Sequence, residues 1–179
     1  MSPIRTRNRL RRNPSDTISI LETPLRAIFG GDRGAIVKMK VIMHAPTPVS
    51  DELSAPFWEA VRDKRLEVQR CGDCRRYSYP PTRICAACSS GNLAYEQVSG
   101  RGTVFSYSET VSGARHPYFA SITPYLVGLV SLEEQEGLMM CSNFPGATLA
   151  ELSVGARVEV EFQEITPDAT IPQFRLAGR

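Results

Sequence analysis

Histidine is scarce in this chain of 179 residues, which contains only His44 and His116. Histidine is the side chain that most often activates a nucleophile or moves a proton near neutral pH. No serine, cysteine or aspartate motif lies beside either histidine to supply such a nucleophile. The sequence therefore predicts no catalytic residues, and we do not expect this chain to be a catalyst by itself.

Long apolar runs are also missing. No run approaches the ~20 residues that cross a bilayer, and the Arg-rich start is not followed by the roughly 7–15 apolar residues of a secretory signal. Arg11-Arg12 is followed by Asn13-Pro14, which does not fit a twin-arginine export signal. We expect a cytoplasmic protein with no membrane span.

Cysteine is infrequent too, but four of the five cysteines form two C-x-x-C pairs, Cys71/Cys74 and Cys85/Cys88. Each pair can place two thiolates on one side of a tight turn, and two facing turns supply the four sulfurs of a tetrahedral metal site. One zinc ion is favoured, and rubredoxin-like iron or two disulfides are the alternatives. Four protein ligands leave no position for water, so the site is predicted to be structural. Cys141 has no partner cysteine, and we expect it to be a small core residue.

Charge is unevenly spread, although the formal net charge is only +2. Residues 1–40 contain nine Lys or Arg against three Asp or Glu, whereas residues 41–179 carry a net charge of −4. Residues 1–45 are also interrupted by proline and glycine, so we expect a basic, disordered arm. We further expect the natural protein to start at Met39 or Met43, just before the first recognisable element.

An amphipathic helix is predicted within residues 46–66. Ser54 is a suitable N-cap, and Pro56 is tolerated in a first turn. An apolar stripe at helical spacing is formed by Leu53, Phe57, Trp58 and Val61. Two interpretations are open: Phe57 and Trp58 either anchor a partner protein or pack on the rest of this chain.

The remainder of the sequence is predicted to be mainly β. Residues 67–98 lead into and out of the cysteine pairs as a ribbon, and residues 99–179 contain five short strands with Gly-rich turns, typical of an OB-fold barrel. In the strand Thr103 to Thr110, alternation places Phe105 and Tyr107 on the same side. The predicted fold is an amino-terminal helix and a rubredoxin-like zinc ribbon followed by a five-stranded OB-fold barrel.

These segments, in this order, resemble a known family. The sequence is similar to the zinc-ribbon plus OB-fold proteins of the acyl-CoA-associated domain-of-unknown-function family numbered thirty-five. The resemblance covers roughly residues 50–176 and is carried by Phe57-Trp58, CGDC with YPPTRICAAC, SGRGTVFSY, His116-Pro117, Pro124-Tyr125, LVGLVSLEE, LSVGARVEVEF and Ile171 to Phe174.

The resemblance implies an accessory subunit of a hetero-oligomer. Family members look like partners of thiolase-like or lipid-transfer-protein-like enzymes, in aldolase, lyase or acyltransferase complexes of steroid and lipid metabolism, where they help form an acyl-CoA site. By charge alone, the candidates for contact with CoA phosphates are Arg75, Arg76, Arg83, Arg101 and Arg115, and His116 adjoins the last of these.

Two other functions are consistent with parts of the pattern. A ribbon with an OB fold can bind single-stranded nucleic acid, with Phe105 and Tyr107 stacking on bases. The mildly acidic body argues against nucleic acid, because phosphate binding needs a positive groove. With iron in place of zinc, the ribbon would be a rubredoxin-like electron carrier.

Overall fold

A computed structural model of the protein describes residues 45–112 and 115–178, and the predicted arm therefore lies almost entirely outside the described residues. Two helices and eight strands follow one another in the described part of the chain. They are α1 (Ala55–Arg62), β1 (Glu67–Cys71), β2 (Tyr77–Ser78), β3 (Leu93–Gln97), β4 (Arg101–Thr110), α2 (Pro117–Ile122), β5 (Tyr125–Leu132), β6 (Met139–Asn143), β7 (Arg157–Thr166) and β8 (Ala169–Leu176).

Helix α1 is shorter than the segment 46–66 that was assigned to it. Pro46 and Pro48 disfavour helical backbone in the residues before them, so residues 45–51 have no regular structure. Ser54 occupies the N-cap position, but its hydroxyl bonds to Asp51 and makes no cap hydrogen bond to the helix. Ser54 is therefore the N-cap, as the sequence predicts, but its side chain closes a turn with Asp51 instead of bonding to the first turn of the helix.

The carboxyl end of α1 is a left-handed cap formed by Lys64, whose φ is 59°. The Arg65 N–H donates to Ala60 O at 2.8 Å and the Lys64 N–H donates to Val61 O at 3.0 Å, the two bonds of a Schellman motif. This reversal directs the chain into β1. The Lys64 ammonium also pairs with Glu164 of β7 at 2.8 Å.

The ribbon is a three-stranded antiparallel sheet in the order β2-β1-β3. Strand β1 pairs with all five residues of β3, from Glu67 with Gln97 to Cys71 with Leu93. Strand β2 contributes only two residues, which face the end of β1 beside the first cysteine.

The barrel is a five-stranded antiparallel sheet in the order β6-β5-β4-β7-β8. Its two outer strands approach each other, and the Phe174 N–H of β8 donates to the buried Ser142 hydroxyl of β6 at 2.9 Å. A five-stranded sheet that curls until its edges meet is the OB-type barrel predicted from the sequence.

A β-bulge in β4 changes which side chains share a face. Val104 is in register with Val130 and Ser106 with Leu129, so Phe105 is an extra residue on β4. The extra residue reverses the alternation beyond it. Phe105 is consequently exposed while Tyr107 packs against the core. The prediction that Phe105 and Tyr107 lie on the same side was wrong.

One hydrophobic core joins the helix, the ribbon and the barrel. Buried side chains from α1, from β1 and from the barrel belong to a single cluster, in which Phe57, Val68 and Phe174 are each at most 2% exposed. Cys141 is exposed on β6, because its neighbours Met140 and Ser142 take the inward positions. The expectation that Cys141 is a core residue was therefore wrong.

Within residues 45–112 and 115–178, no helix has the length and apolar character needed to cross a bilayer.

Candidate metal centre

The first cysteine pair lies on a tight turn at the end of β1. The Arg75 N–H donates to Cys71 O at 2.9 Å, and the Cys71 N–H donates to Arg76 O at 2.9 Å. Arg75 closes the turn in the left-handed region, with φ of 64°. The chain reverses here, so Cys71 and Cys74 are presented on the same side.

The second cysteine pair repeats this geometry. The Ser89 N–H donates to Cys85 O at 2.8 Å, the Cys85 N–H donates to Ser90 O at 2.8 Å, and Ser89 has φ of 60°. Ser89 follows Cys88 as Arg75 follows Cys74. The two turns are therefore equivalent in backbone conformation.

The four sulfurs converge. Each Sγ lies within 4.8 Å of the other three. Two separations that join opposite turns are 3.6 Å, between Cys71 and Cys88, and 3.5 Å, between Cys74 and Cys85. A tetrahedral site with metal–sulfur bonds of about 2.3 Å requires sulfur separations of about 3.8 Å. Cys71 and Cys85 are buried, whereas Cys74 and Cys88 are exposed. The spacing of the four sulfurs fits a site in which four thiolates bind one metal ion.

The surrounding backbone favours thiolates at the two buried positions. The backbone N–H of Cys74 is the main cause that lowers the pKa of Cys71 to about 6. The N–H of Ala87 is the main cause that lowers the pKa of Cys85 below its usual value. The Ser90 N–H lowers the pKa of Cys88, but the neighbouring thiols of Cys74 and Cys71 outweigh it and raise that pKa to about 12. Four thiolates thus need a cation between them, which a divalent metal supplies.

Polar side chains next to the four cysteines form hydrogen bonds between the two turns. The Asp73 carboxylate accepts hydrogen bonds from the Ser90 hydroxyl at 2.5 Å and from the Asn92 amide at 2.9 Å. These two bonds, in that order, lower the pKa of Asp73. A Cβ at Gly72 would lie 2.5 Å from Asn92 Nδ2, so a larger residue there would displace the Asn92 side chain that bonds to Asp73. Such outer contacts orient the ligands of a metal site.

The predicted cationic residues lie on three parts of the fold. Arg75, Arg76 and Arg83 are exposed on the ribbon, Arg101 begins β4, and Arg115 with His116 precedes α2. The Arg101 guanidinium is paired with Glu133, and Arg75 lies 3.6 Å from Glu96. Within the described residues, Arg76 and Arg83 have no carboxylate partner.

His116 caps helix α2, and its contact with a ligand remains a prediction. Its Nδ1 accepts the Tyr118 N–H at 3.3 Å, and its ring meets the Phe119 ring edge to face at 5.8 Å. Phe119 in turn contacts Tyr125 at 5.8 Å. The aromatic residues hold α2 against the start of β5.

Phe57 and Trp58 have different environments. Phe57 is buried, and its ring centroid lies 4.9 Å from that of Trp58 and 5.5 Å from that of Tyr79 in the ribbon. Packing within the chain, one of the two interpretations of the sequence, therefore accounts for Phe57. Trp58 is only partly buried, and its contact with a partner remains a prediction.

Sequence reasoning missed the importance of the turn between β5 and β6. Gln135 bonds to the backbone of Tyr77 in the ribbon, and Glu134 accepts the Ser99 N–H that leads into the barrel. In the sequence, the letters EEQEG indicate only a solvent-exposed turn. No local signal distinguishes a side chain that bonds across the fold from one that faces water.

Two surface grooves border this turn. The ribbon-side groove, of about 440 Å³, runs between the second cysteine turn and β2 and is lined by residues that include Arg76, Tyr79, Ala87 and Gln135. The barrel-side groove, of about 630 Å³, is lined by residues that include Arg101, Thr103, Gln135 and Arg157.

The fold and the four-thiol centre define a metal-ribbon protein with an OB-fold barrel. Two family models match in succession: "ChsH2, rubredoxin-like zinc ribbon domain" over residues 58–94, and "ChsH2, C-terminal OB-fold domain" over residues 95–163. The chain belongs to this ChsH2 family, in agreement with the resemblance and the fold class inferred from the sequence.

Known proteins show the same relationship. A chain of the solved Ltp2-ChsH2(DUF35) aldolase matches with a TM-score of 0.66 and 32% identity, over 73% of this chain and 98% of that one. A probable enoyl-CoA hydratase alpha subunit of Thermomonospora curvata is 32% identical over 74% of this chain and 40% of its own length. The 3-oxo-4,17-pregnadiene-20-carboxyl-CoA hydratase alpha subunit of Mycobacterium tuberculosis is 31% identical over 64% and 35%. This chain thus spans two fifths or less of these curated relatives.

Proposed function

We propose that this protein is an accessory subunit of an acyl-CoA-processing complex, in which a thiolase-like partner carries the catalytic groups. The observation that carries the proposal is the likeness to the Ltp2-ChsH2(DUF35) aldolase, one chain of which is covered over 98% of its length. The name of that aldolase pairs a ChsH2 chain with a second protein. Both curated relatives are named for reactions of acyl-CoA thioesters, which supports the substrate class.

The metal of this subunit is proposed to be zinc with a structural role. Four thiolates accept either zinc or iron, so the geometry of the donor set supports both ions. The ribbon belongs to a family described by a zinc ribbon, which favours zinc. Metal analysis is expected to give about one zinc per chain and no visible absorption. A coloured protein with iron in the site would instead support the electron-carrier alternative.

The partner is proposed to bind an apolar patch formed by Phe105 and Val154. The bulge leaves Phe105 52% exposed, and Val154 is 68% exposed. The two residues adjoin one backbone hydrogen bond, from the Gly155 N–H to Val104 O at 2.8 Å. Neighbouring exposed apolar side chains, aromatic ones above all, are typical of the centre of a protein interface.

Arg76 and Arg83 are the proposed contacts for the phosphates of CoA. Both are exposed on the ribbon without a carboxylate partner among the described residues, whereas the charge of Arg101 is already paired with Glu133. In the reconstituted complex, replacing both with glutamine is expected to weaken acyl-CoA binding about tenfold or more, the loss expected for charged hydrogen bonds. Arg62→Gln, on the exposed side of α1, is the matched control.

The experiment that tests the subunit proposal is a pull-down of tagged protein from its own host's lysate. Wild type and Val49→Asp, which changes a residue that is 94% exposed, are expected to recover a thiolase-fold protein in near-equal amount. Phe105→Asp is expected to recover little of it while keeping its metal. Recovery of nucleic acid, or of no thiolase-fold protein by wild type, would contradict the proposal.

A further inference from the structure

The turn between β5 and β6 bonds to three different parts of the fold through three consecutive side chains. The Glu133 carboxylate pairs with Arg101 of β4. Glu134 Oε1 accepts the Ser99 N–H at 2.6 Å, in the link between ribbon and barrel. Gln135 reaches the ribbon itself. The turn is therefore a junction of the barrel, the link and the ribbon.

The Gln135 side chain makes the two hydrogen bonds that the backbone of a neighbouring strand would make. Its Oε1 accepts the Tyr77 N–H at 2.8 Å and its Nε2 donates to Tyr77 O at 3.1 Å. A carboxamide has the same donor and acceptor as a peptide group, so it satisfies the free edge of a strand as a further strand would. Strand β2 has only two residues, and this pair of bonds occupies its outer edge at Tyr77.

Tyr77 is close to the first cysteine pair along the chain. It lies three residues after Cys74, and the Arg76 carbonyl between them accepts the Cys71 N–H at 2.9 Å. A metal that fixes the first cysteine turn thereby fixes the position of Tyr77. The Tyr77 side chain is also held by its hydroxyl bond to Glu96 Oε1 at 2.9 Å, but the backbone of the two-residue strand pairs only with Gln69 and Arg70 of β1. Without the metal, this short backbone pairing is expected to be less ordered.

The same carboxamide separates the two grooves. Gln135 lines both the ribbon-side groove and the barrel-side groove. Any change in the position of the turn therefore changes the shape of both grooves at once.

We propose that Gln135 is a positioning residue that couples the metal state of the ribbon to the barrel. Metal loading fixes β2, the Gln135 carboxamide transmits that order to the turn Glu133 to Gly137, and the turn sets the common wall of the two grooves. This coupling is independent of the identity of any partner or acyl-CoA.

The test is amide hydrogen exchange of the full chain, measured with metal bound and after chelation. In wild type, chelation is expected to accelerate exchange in the ribbon and also, about three- to tenfold, at Leu132 and Leu138, whose N–H groups bond within the turn. In Gln135→Met, which keeps length but removes both bonds, these two amides are expected to exchange fast in either metal state. Metal content is expected to stay at one ion per chain.

Controls separate this coupling from general destabilisation. Glu136→Gln changes an exposed residue of the same turn and is expected to behave as wild type. Gln135→Glu keeps the acceptor for the Tyr77 N–H but loses the donor to Tyr77 O, and is expected to show an intermediate response.

Four outcomes would overturn the proposal. The first is that the exchange rates of the Leu132 and Leu138 amides in wild type do not change on chelation. The second is that these rates in Gln135→Met respond to chelation as they do in wild type. The third is acceleration throughout β4 and β5 on chelation, which would mean that the coupling is global. The fourth is loss of metal from both Gln135→Met and Gln135→Glu, because Gln135 would then be a general requirement for folding.

Discussion

Gly128→Ala tests how closely the strands of the barrel approach one another. Gly128 on β5 is in register with Tyr107 of β4 and Ser142 of β6. A Cβ at this position would lie 2.1 Å from Ser106 O and 3.0 Å from the Phe144 ring. Real Cβ atoms essentially never come closer than 3.0 Å, so β4 and β5 would have to separate by about 0.9 Å.

Because Ser106 O is a backbone atom inside a sheet, the strain cannot be relieved by a side-chain rotation. Overpacking of this kind costs up to about 3 kcal/mol, which corresponds to a fall in Tm of roughly 6–12 °C for a domain of this size. Thermal unfolding followed by circular dichroism, with metal present, measures the fall. Gly91→Ala is the control, because a Cβ there meets nothing within 4 Å. Equal Tm values for Gly128→Ala and wild type would refute the close approach of β4 and β5.

The remaining predictions concern the ribbon and the helix. Cys85→Ser is expected to lose the metal and the ribbon fold, since four-thiolate sites contribute on the order of 10 kcal/mol to folding. The control Cys141→Ser is expected to keep about one ion per chain. Metal retention by Cys85→Ser would contradict the four-thiolate site. Lys64→Gly is expected to raise stability by about 0.5–1 kcal/mol in chemical denaturation, because glycine adopts positive φ without strain; a lower stability would show that the ion pair with Glu164 matters more. The hydrogen bond from the Tyr77 hydroxyl, followed by that from Arg70, lowers the pKa of Glu96 below 4.5. The stability contributed by the Glu96 carboxylate is therefore present above pH 4.5 and is lost as the pH falls through its folded-state pKa. The difference in unfolding free energy between wild type and Glu96→Gln is expected to shrink in acid. A difference that stays constant with pH would contradict this.

The cluster of four cysteines was predictable because its information is local. A C-x-x-C pair fixes two thiols on one turn whatever surrounds it, and two such pairs leave a tetrahedral centre as the natural outcome. The structure adds that Arg75 and Ser89 close the two turns at positive φ, a position where glycine is more usual. Neither residue type indicates that conformation in the sequence.

The number of barrel strands, five, was predictable from the sequence, but the faces of β4 were not. Alternation is a reliable guide only while the register is unbroken, and the extra residue Phe105 breaks it. Nothing in the letters TVFSYS indicates a bulge, because its position is set by pairing with β5. The prediction for Phe57 and Trp58 was ambiguous for a related reason: an apolar stripe shows that a face is covered, not what covers it.

By itself, the sequence determined the pairing of the four cysteines that cluster, the order of helix, ribbon and barrel, and the family. These depend on spacing over a few residues and on periodicity along single strands. Only the tertiary structure decided which apolar side chains are exposed, which arginines are left without a carboxylate, and that Gln135 bonds to Tyr77 across 58 positions of sequence. The physical reason is that burial and long-range pairing follow from strand register and packing, which bring together residues whose separation in the chain carries no information about their contact.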